Sequence, residues 1–271
     1  MKISASIYSS KNQKLEQIIH ELDEHGVDYF HVDCNDDKSV FDDIVRIREL
    51  SSKPIDLHII SSEPEAYFDA IQKHRVEFVT FQYENLQGPV SFPKSNDTQY
   101  GMSITSETEI DAFDEYADSC RFILFMATTP GQSGGRFNQN NFRKIRDFRR
   151  RYPKTEIRVD GGVNAEVSFI LRNMGVSSAV VGSYLFNSTL GAALLNLRAH
   201  DVESHYLVKD FMRTTEELPI LKSDALSFSS VLRTIDSGKL GFALVQEENG
   251  KLKGIISNAD VRKGLMAHLE D

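Results

Sequence analysis

The chain alternates short apolar runs with longer segments in which apolar residues recur every three or four positions. Short runs rich in β-branched and aromatic residues predict buried strands, and the longer period predicts amphipathic helices. The predicted strands are KISASIY, VDYFHVD, PIDLHII, VEFVTFQ, YGMSIT, RFILFM, EIRVD and SSAVVG. The predicted helices cover residues 13–26, 39–50, 65–74, 107–117, 139–151, 164–174 and 191–200.

Eight βα units within about 200 residues have the size and rhythm of a (β/α)8 barrel. We therefore predict an α/β fold, a TIM barrel, over residues 1–203. The fourth unit is irregular, because residues 85–99 contain two prolines and little helical pattern. This stretch is predicted to be a loop in place of a helix.

After residue 203 the pattern changes. It predicts a helix at 227–238, strands at 241–248 and 252–257 with an Asn-Gly turn between them, and a helix that begins near residue 258. Residues 204–271 are therefore predicted to form a separate, small α+β domain.

Composition narrows the class of protein. A net charge of -9 argues against a nucleic-acid partner, because phosphate backbones repel acidic surfaces. Apolar runs fall short of the roughly 20 residues that a membrane helix needs, and the N-terminal stretch lacks the apolar centre of a secretory signal. Two cysteines fit neither a disulfide framework nor a zinc-ribbon spacing. The expectation is a cytoplasmic protein without a membrane partner.

Histidines and aspartates cluster at the ends of the predicted strands. Residues two apart share one face of a strand, so His31 and Asp33 project together, as do Asp56 and His58 on the next strand. Asp160 ends the seventh strand at the same height. Imidazole and carboxylate groups are ligands for zinc, iron or manganese. Each group alone is readily explained by ordinary hydrogen bonds, but several at one rim favour a site for a single divalent metal.

Glycine-rich turns follow the last three strands of the barrel. The segments are TTPGQSGGRF, DGGVN and VGSYLF. Glycines let backbone N–H groups approach an anion, and helix N-termini add a favourable dipole. A phosphate site at these loops recurs in TIM barrels. Gly161, Gly162 and Gly182 individually need only permit tight turns, yet their clustering on consecutive loops favours phosphate.

These motifs together give the barrel a family resemblance. HVD at 31–33, DLH at 56–58, PGQSG at 130–134, VDGG at 159–162 and GS at 182–183 resemble the hallmarks of the ribulose-phosphate 3-epimerase family. The resemblance implies that His31, Asp33, His58 and Asp160 hold a catalytic divalent metal, and that Asp33 and Asp160 also exchange protons with the substrate. It further implies that substrate or phosphate contacts come from Ser6, Gly131, Gly134, Gly161, Gly162, Gly182 and Ser183.

The chain also departs from that family's pattern. The departures are Cys34, Asn35, Asp36 and Asp37 after HVD, Ile60 where methionine is common, Gln82 where histidine is usual, and TSET at 105–108. None is a predicted ligand, so they alter the wall around the substrate. The expected activity is 3-epimerisation of a ketose phosphate, either ribulose 5-phosphate and xylulose 5-phosphate or a related pentulose or hexulose phosphate.

Two alternatives stay open. A decarboxylase or aldolase of the phosphate-binding barrel type would be supported by a lysine at a strand end, and no strand end offers an obvious one. A phosphosugar-binding sensor without catalysis would have no use for two opposed acids.

The segment from residue 208 to 271 resembles a single CBS motif, most clearly in GIISNAD at 254–260. The resemblance implies that Ser257 and Asp260 contact an adenine nucleotide. Asp260 also suits the first turn of a helix with no ligand at all, and both interpretations stay open. Because CBS motifs work in pairs and this chain has one, we expect a homo-oligomer.

Overall fold

A computed structural model describes residues 1–10, 13–130 and 134–269, which form two compact units, Met1–Asp210 and Phe211–Asp271. The first unit is a closed barrel of eight parallel strands in sequential order, with β8 paired to β1. The predicted TIM barrel is therefore confirmed. Its strands are β1 (Lys2–Ser6), β2 (Tyr29–Cys34), β3 (Ile55–Ile59), β4 (Phe78–Gln82), β5 (Gln99–Thr105), β6 (Phe122–Met126), β7 (Glu156–Asp160) and β8 (Ser178–Val181).

Helices flank the barrel strands, and the apolar period predicts all of them except two four-residue helices, Ser183–Phe186 and Val208–Phe211. The helices are α1 (Leu15–Glu24), α2 (Val40–Leu50), α3 (Phe68–Lys73), α4 (Asn140–Arg151), α5 (Ala165–Asn173), α6 (Ser183–Phe186), α7 (Leu190–Arg198) and α8 (Val208–Phe211). Helix α1 is amphipathic, because Ile18, Ile19 and Leu22 lie on one buried face while its acidic residues face solvent. This outer layer leaves the carboxyl ends of the strands open at one rim.

The fourth and fifth units differ from regular βα units. No helix lies between β4 and β5 in the described chain, as the prolines predicted, and only a short 3-10 turn at Tyr83–Asn85 follows β4. The predicted helix at 107–117 is instead a 3-10 helix, Ile110–Tyr116. Its two buried residues, Phe113 and Tyr116, are three positions apart, and residues at that spacing lie on one face of a 3-10 helix.

Strand register decides which side chains meet inside the barrel. Asp33 lies opposite His58, and His31 lies opposite Asp56. Asp160 lies opposite Met126 on one side and Val180 on the other. Since alternate residues point inward, the ends of these strands bring their polar side chains into one layer at the open rim.

A buried ion pair lies below that layer. The Arg158 guanidinium is 3.4 Å from Asp56 Oδ1, and both side chains are nearly inaccessible. Its carbon lies 3.6 Å from the centre of the Phe122 ring and 4.2 Å from that of Phe78. The rings and the carboxylate together compensate a cation that would otherwise be costly to bury.

The second unit is a three-stranded sheet with helices. Its elements are β9 (Ile220–Lys222), α9 (Phe228–Gly238), β10 (Phe242–Gln246), β11 (Leu252–Ser257) and α10 (Asn258–Leu269). Strand β10 lies centrally, antiparallel to β11 and parallel to β9. A small core of Leu221, Val231, Ile235 and Ala243 holds the sheet to α9. The sequence pattern predicts β10, β11 and both helices, but not the three-residue strand β9.

Across the part of the chain that the structure describes, no helix combines the length and apolar character needed to span a membrane.

Candidate active site

Four side chains from three strands converge at the open rim of the barrel. They are His31 and Asp33 from β2, His58 from β3 and Asp160 from β7, and one potential ligand atom from each lies within 4.8 Å of the others. His31 Nε2 is 3.3 Å from Asp33 Oδ1 and 3.9 Å from Asp160 Oδ2. His58 Nδ1 is 3.5 Å from Asp33 Oδ1. All four residues predicted as ligands are thus brought together.

His31 is held from below by a buried carboxylate. Its Nδ1 lies 3.1 Å from Asp56 Oδ2, and that oxygen also accepts a hydrogen bond of 2.7 Å from the Ser4 hydroxyl. A carboxylate can only accept, so Nδ1 carries the proton and Nε2 faces Asp33 and Asp160. Arg158 binds the other oxygen of Asp56 and keeps the carboxylate in place.

His58 is held from the side by β4 and β5. Its Nε2 lies 2.9 Å from Gln82 Oε1 and 3.1 Å from the Ser103 hydroxyl. Its Nδ1, although fully buried, has no hydrogen-bond partner among the residues that the structure describes. A buried polar atom without a partner is costly, and here it points toward the carboxylates. The donor set, two imidazole nitrogens and two carboxylates, therefore fits a divalent metal.

The pKa values of the two carboxyl groups diverge. Burial raises the pKa of Asp33, but the charge and hydrogen bonding of His31 outweigh burial and hold that pKa well below its usual range. Burial raises the pKa of Asp160 to about 6, with the Asp33 charge adding to the rise and His31 opposing it. Burial lowers the pKa of His31, yet Asp33 and Asp56 raise it well above the usual value overall. A bound cation would lower the pKa of both carboxyl groups.

A cavity of about 450 Å³ opens above the four side chains and includes Asp33 and Asp160 in its wall. Its wall also contains Ser6, Gly134, Gly161, Gly162, Gly182 and Ser183, all predicted to contact substrate or phosphate. Gly131, predicted with them, lies outside the described residues. The predicted phosphate loops and the acids thus share one cavity.

The glycines after β7 are required by the backbone. Gly161 and Gly162 have φ of 106° and 66°, in the region that disfavours other residues. A Cβ atom at Gly161 would collide with Thr128, and one at Gly162 would collide with the backbone of Phe137. These glycines therefore let the loops after β6 and β7 pack closely beside Asp160.

The loop after β2, where the chain departs from its relatives' pattern, folds back on the segment between β3 and α3. Asp36, at φ 55°, accepts hydrogen bonds from the Ser61 hydroxyl at 2.6 Å and the Tyr67 hydroxyl at 2.8 Å. Asn35 lines the cavity, whereas Asp36 and Asp37 do not. Among Asn35, Asp36 and Asp37, only Asn35 is thus placed to contact a substrate.

Sequence reasoning missed several residues of the cavity wall. These are Tyr8, Thr128, Arg136, Tyr184 and Tyr206. Tyr8 ends the first predicted strand, and Arg136 lies within the glycine-rich segment TTPGQSGGRF. Both positions could have been identified from the sequence, because strand ends and these loops were already predicted to form the site. Tyr206 had no signal, because it lies beyond the predicted end of the barrel. Its ring is 5.3 Å from Phe142, and its N–H donates to Glu166 in α5.

In the second unit, Ser257 and Asp260 bind each other. The Ser257 hydroxyl and backbone N–H donate to Asp260 Oδ2 at 2.7 and 2.9 Å. Hydrogen bonds from Ser257 lower the pKa of the exposed Asp260 carboxyl. These hydrogen bonds cap the N-terminus of α10, which gives both residues a structural role.

Fold and site together define a TIM-barrel protein with a His/Asp centre suited to a divalent metal, beside a cavity lined by glycine loops. The sequence profile of the "Ribulose-phosphate 3 epimerase family" matches residues 2–186. The chain belongs to that family. Because the matched relatives are named ribulose-phosphate 3-epimerase, the predicted epimerase-like isomerase is confirmed at the level of the family.

Individual relatives match most of the barrel. The ribulose-phosphate 3-epimerase of Methanocaldococcus jannaschii is 27% identical, over 78% of this chain and 95% of its own length. That of Encephalitozoon cuniculi is 30% identical, over 69% of this chain and 88% of its own length. Among solved structures, 3-hexulose-6-phosphate synthase is similar with a TM-score of 0.53 and 15% identity, covering 74% of this chain and all of its own. KGPDC from Streptococcus mutans has a TM-score of 0.53 and 8% identity, covering 72% and 94%. At these identities the structures support the fold alone.

Proposed function

We propose that this protein is a metal-dependent 3-epimerase of a ketose phosphate. Ribulose 5-phosphate and xylulose 5-phosphate are the default pair, and a related pentulose or hexulose phosphate is the alternative. The observation that carries the proposal is the arrangement of Asp33 and Asp160 in one cavity with two histidines and the glycine loops. Epimerisation needs all three features, which are two acids, a centre for negative charge and an anchor for phosphate.

The metal would be held by His31, Asp33, His58 and Asp160, which offer a mixed nitrogen and oxygen donor set. Zinc, iron and manganese all accept such ligands. A bound divalent cation would supply electrostatic stabilisation for the negative charge that develops on substrate oxygen. The protein's own part is to hold the donors, which the outer contacts of both imidazoles do.

Asp33 and Asp160 are assigned as the two proton carriers. Inverting a carbon next to a carbonyl requires one group to remove a proton from one face and another to deliver a proton to the opposite face. Asp33 extends from β2 and Asp160 from β7, on different sides of the rim, and each is partly exposed to the cavity. One carboxylate accepts the C3 proton, an enediolate forms, and the other carboxyl group donates a proton from the far side.

The phosphate would lie against the loops after β6, β7 and β8. Gly134, Gly161, Gly162, Gly182 and Ser183 line that end of the cavity, and Gly131 is assigned with them from the family pattern. Holding the phosphate there fixes which carbon of the sugar lies between the two acids. Ser6 is assigned a polar contact with the substrate, and it lines the same cavity.

The alternative of a non-catalytic phosphosugar sensor gains no support from this geometry. Burying two carboxylates beside two histidines is expensive, and binding a neutral sugar and its phosphate does not require it. Their common position in the cavity is better explained by proton transfer.

The test is solvent deuterium exchange at C3. The full chain, supplied in turn with zinc, iron or manganese, is incubated in D2O with a panel of pentulose and hexulose phosphates. We expect deuterium at C3 and an epimer of one substrate, with both lost after chelation and restored by metal. Measurable binding of the sugar phosphates without exchange into any of them would contradict the proposal.

We also propose that residues 204–271 carry a single CBS motif that supports a homo-oligomer and binds an adenine nucleotide at Ser257 and Asp260. Support comes from the GIISNAD pattern and from large apolar side chains that the second unit leaves exposed, which include Leu226, Phe228, Leu232, Leu252, Ile255, Leu265 and Met266. Calorimetric titration of the full chain with AMP and ATP tests the nucleotide. Ser257→Ala should abolish the heat of binding if the assignment holds, and no heat from the unaltered chain would remove it.

A further inference from the structure

Gln82 lies one strand away from the candidate ligand His58, and its amide has a single allowed orientation. Its side chain is buried at the end of β4, and Nε2 donates to Glu84 Oε2. A carboxylate can only accept, so it must face the NH2 group and never the carbonyl oxygen of an amide. Gln82 Oε1 is thereby directed at His58 Nε2, 2.9 Å away.

Glu84 is itself fixed from the loop after β5. The backbone N–H of Thr105 donates to its Oε1 at 2.8 Å, and the Thr108 hydroxyl donates to the same oxygen. With Oε1 engaged, Oε2 is the oxygen left for Gln82. Ser103 agrees with this arrangement, since its hydroxyl donates to Gln82 Oε1 at 2.7 Å.

The orientation of Gln82 determines the tautomer of His58. An acceptor oxygen 2.9 Å from Nε2 requires a proton on Nε2, so a neutral His58 has its lone pair on Nδ1. That atom is buried, has no hydrogen-bond partner among the described residues, and lies 3.5 Å from Asp33 Oδ1. In the other tautomer, an Nδ1 proton would point at Asp33 and occupy the direction that a metal needs.

We propose that Gln82, oriented by Glu84, is a positioning residue that locks His58 in the tautomer able to bind a metal. The inference rests on the proposed metal centre. It gives a role to Gln82, one of the positions where this chain departs from its relatives' pattern. His31 has its own acceptor, Asp56, so the two imidazoles are oriented by different chemistry, a charged carboxylate for one and a neutral amide for the other.

The sharpest variant is Glu84→Gln, which replaces one oxygen by nitrogen at an exposed residue. Thr105 and Thr108 would keep the amide oxygen, so the new NH2 group would face Gln82. Gln82 would then turn its own oxygen toward residue 84 and its NH2 toward His58, which favours the wrong tautomer. Gln82→Met removes the acceptor altogether at similar volume. Glu107→Gln makes the same charge change at an exposed residue of the adjoining loop and is the matched control.

The first measurement is competition for Zn(II) and Mn(II) between each full-length variant and a chromophoric chelator. We expect affinity to fall about tenfold in Glu84→Gln and up to about a hundredfold in Gln82→Met, the range seen when outer partners of ligating histidines are removed. Glu107→Gln should match the unaltered chain. The second measurement is the 15N spectrum of labelled histidines in the chelator-treated full chain, which reports the tautomer directly. His58 should show the Nε2-protonated form, and Glu84→Gln should shift it toward the other.

Unchanged metal affinity and an unchanged His58 tautomer in Glu84→Gln would overturn the inference while leaving the metal centre intact. Equal losses in Glu84→Gln and Glu107→Gln would also overturn it, because they would show a general effect of charge. Failure of the unaltered chain to bind either metal would instead overturn the proposed function, and this inference with it.

Discussion

Asp33 and Asp160 are the same residue type in one cavity, yet their neighbours push their pKa values in opposite directions. Asp33 lies 3.3 Å from His31, whose charge and hydrogen bond favour the charged form of the carboxyl group. Asp160 lies farther from His31, at 3.9 Å, and burial raises its pKa to about 6. Two carboxyl groups with separated pKa values can act as a base and an acid. The asymmetry arises because His31, two residues before Asp33 on the same strand, lies closer to Asp33 than to Asp160.

Replacing Asp160 by asparagine should therefore abolish proton transfer on one face. We expect kcat to fall by about 10²- to 10⁴-fold, because the amide has almost the shape of the acid but neither accepts nor delivers the proton. Steady-state assays and C3 deuterium exchange measure this.

Asp36→Asn is the matched control. Asp36 lies outside the cavity, and an asparagine Oδ1 can accept the same bonds from Ser61 and Tyr67 at a positive φ. It should keep the original rate. Full activity in Asp160→Asn would remove Asp160 from its assigned role.

Sequence spacing was enough to predict that His31, Asp33, His58 and Asp160 come together, because residues two apart on a strand share a face and parallel strands end at one rim. It was not enough for the orientation of His58. That depends on an amide from β4, a hydroxyl from β5 and a carboxylate whose position is set by two threonines. Gln82 could be noticed only as a departure from a pattern.

At the scale of elements, the turn after β7 couples loop geometry to the site. Gly161 directly follows Asp160, has φ of 106°, and leaves no room for a Cβ atom beside Thr128. Gly161→Ala should raise KM for the sugar phosphate and destabilise the protein, because the loop must shift away from the cavity. Kinetics and thermal melts of the full chain measure the two effects.

Gly175→Ala separates backbone strain from collision. Gly175 also has a positive φ, 78°, but a Cβ atom there meets nothing within 4 Å. It should cost roughly 1–2 kcal/mol of stability and leave KM unchanged. Equal effects of the two variants on KM would show that the turn after β7 does not shape the site.

Inside the barrel, Arg158 connects β7 to β3 through Asp56. Arg158→Met should lower the free energy of unfolding by about 3–5 kcal/mol, because it leaves a buried carboxylate without its cation. Denaturant unfolding of the full chain measures the change.

The control is Arg121→Met, whose guanidinium is largely exposed and 3.9 Å from Glu156. An exposed pair contributes about 0–1 kcal/mol, so the change should be small. A comparable loss from both variants would mean that burial of the Arg158 pair does not set its contribution.

The elements themselves were largely predictable, and the exceptions have physical causes. The segment at 107–117 has the apolar content of a helix, but Phe113 and Tyr116 are buried at a spacing of three, which suits a 3-10 helix. Strand β9 has three residues, too few to show a period.

At the scale of the whole molecule, the two units differ in how fully they cover their apolar residues. The barrel buries a large continuous core, whereas the second unit, Phe211–Asp271, has a small core and leaves large apolar side chains on α9, β11 and α10 exposed. A unit of about 60 residues is marginal by itself. Exposed apolar side chains on a small unit are a common sign of an interface.

Strand β11 is the element best placed to form such an interface. It is an edge strand, pairs with β10 on one side, and exposes Leu252 and Ile255 at 62% and 59%. Edge strands with apolar side chains invite pairing with another chain. If the second unit supports a homo-oligomer, the full chain should be at least a dimer in light scattering, and Ile255→Lys should shift it toward monomer.

Leu195→Lys introduces the same charge at a 72% exposed apolar residue of α7 and should leave the mass unchanged. A chain that ends at Asp210 should be a monomer in light scattering, because it lacks the second unit that is proposed to hold the copies together. A monomeric full chain would remove the assembly role proposed for this unit. The same role would be removed if Ile255→Lys and the shortened chain both kept the copy number of the unaltered oligomer, because the interface would then lie elsewhere.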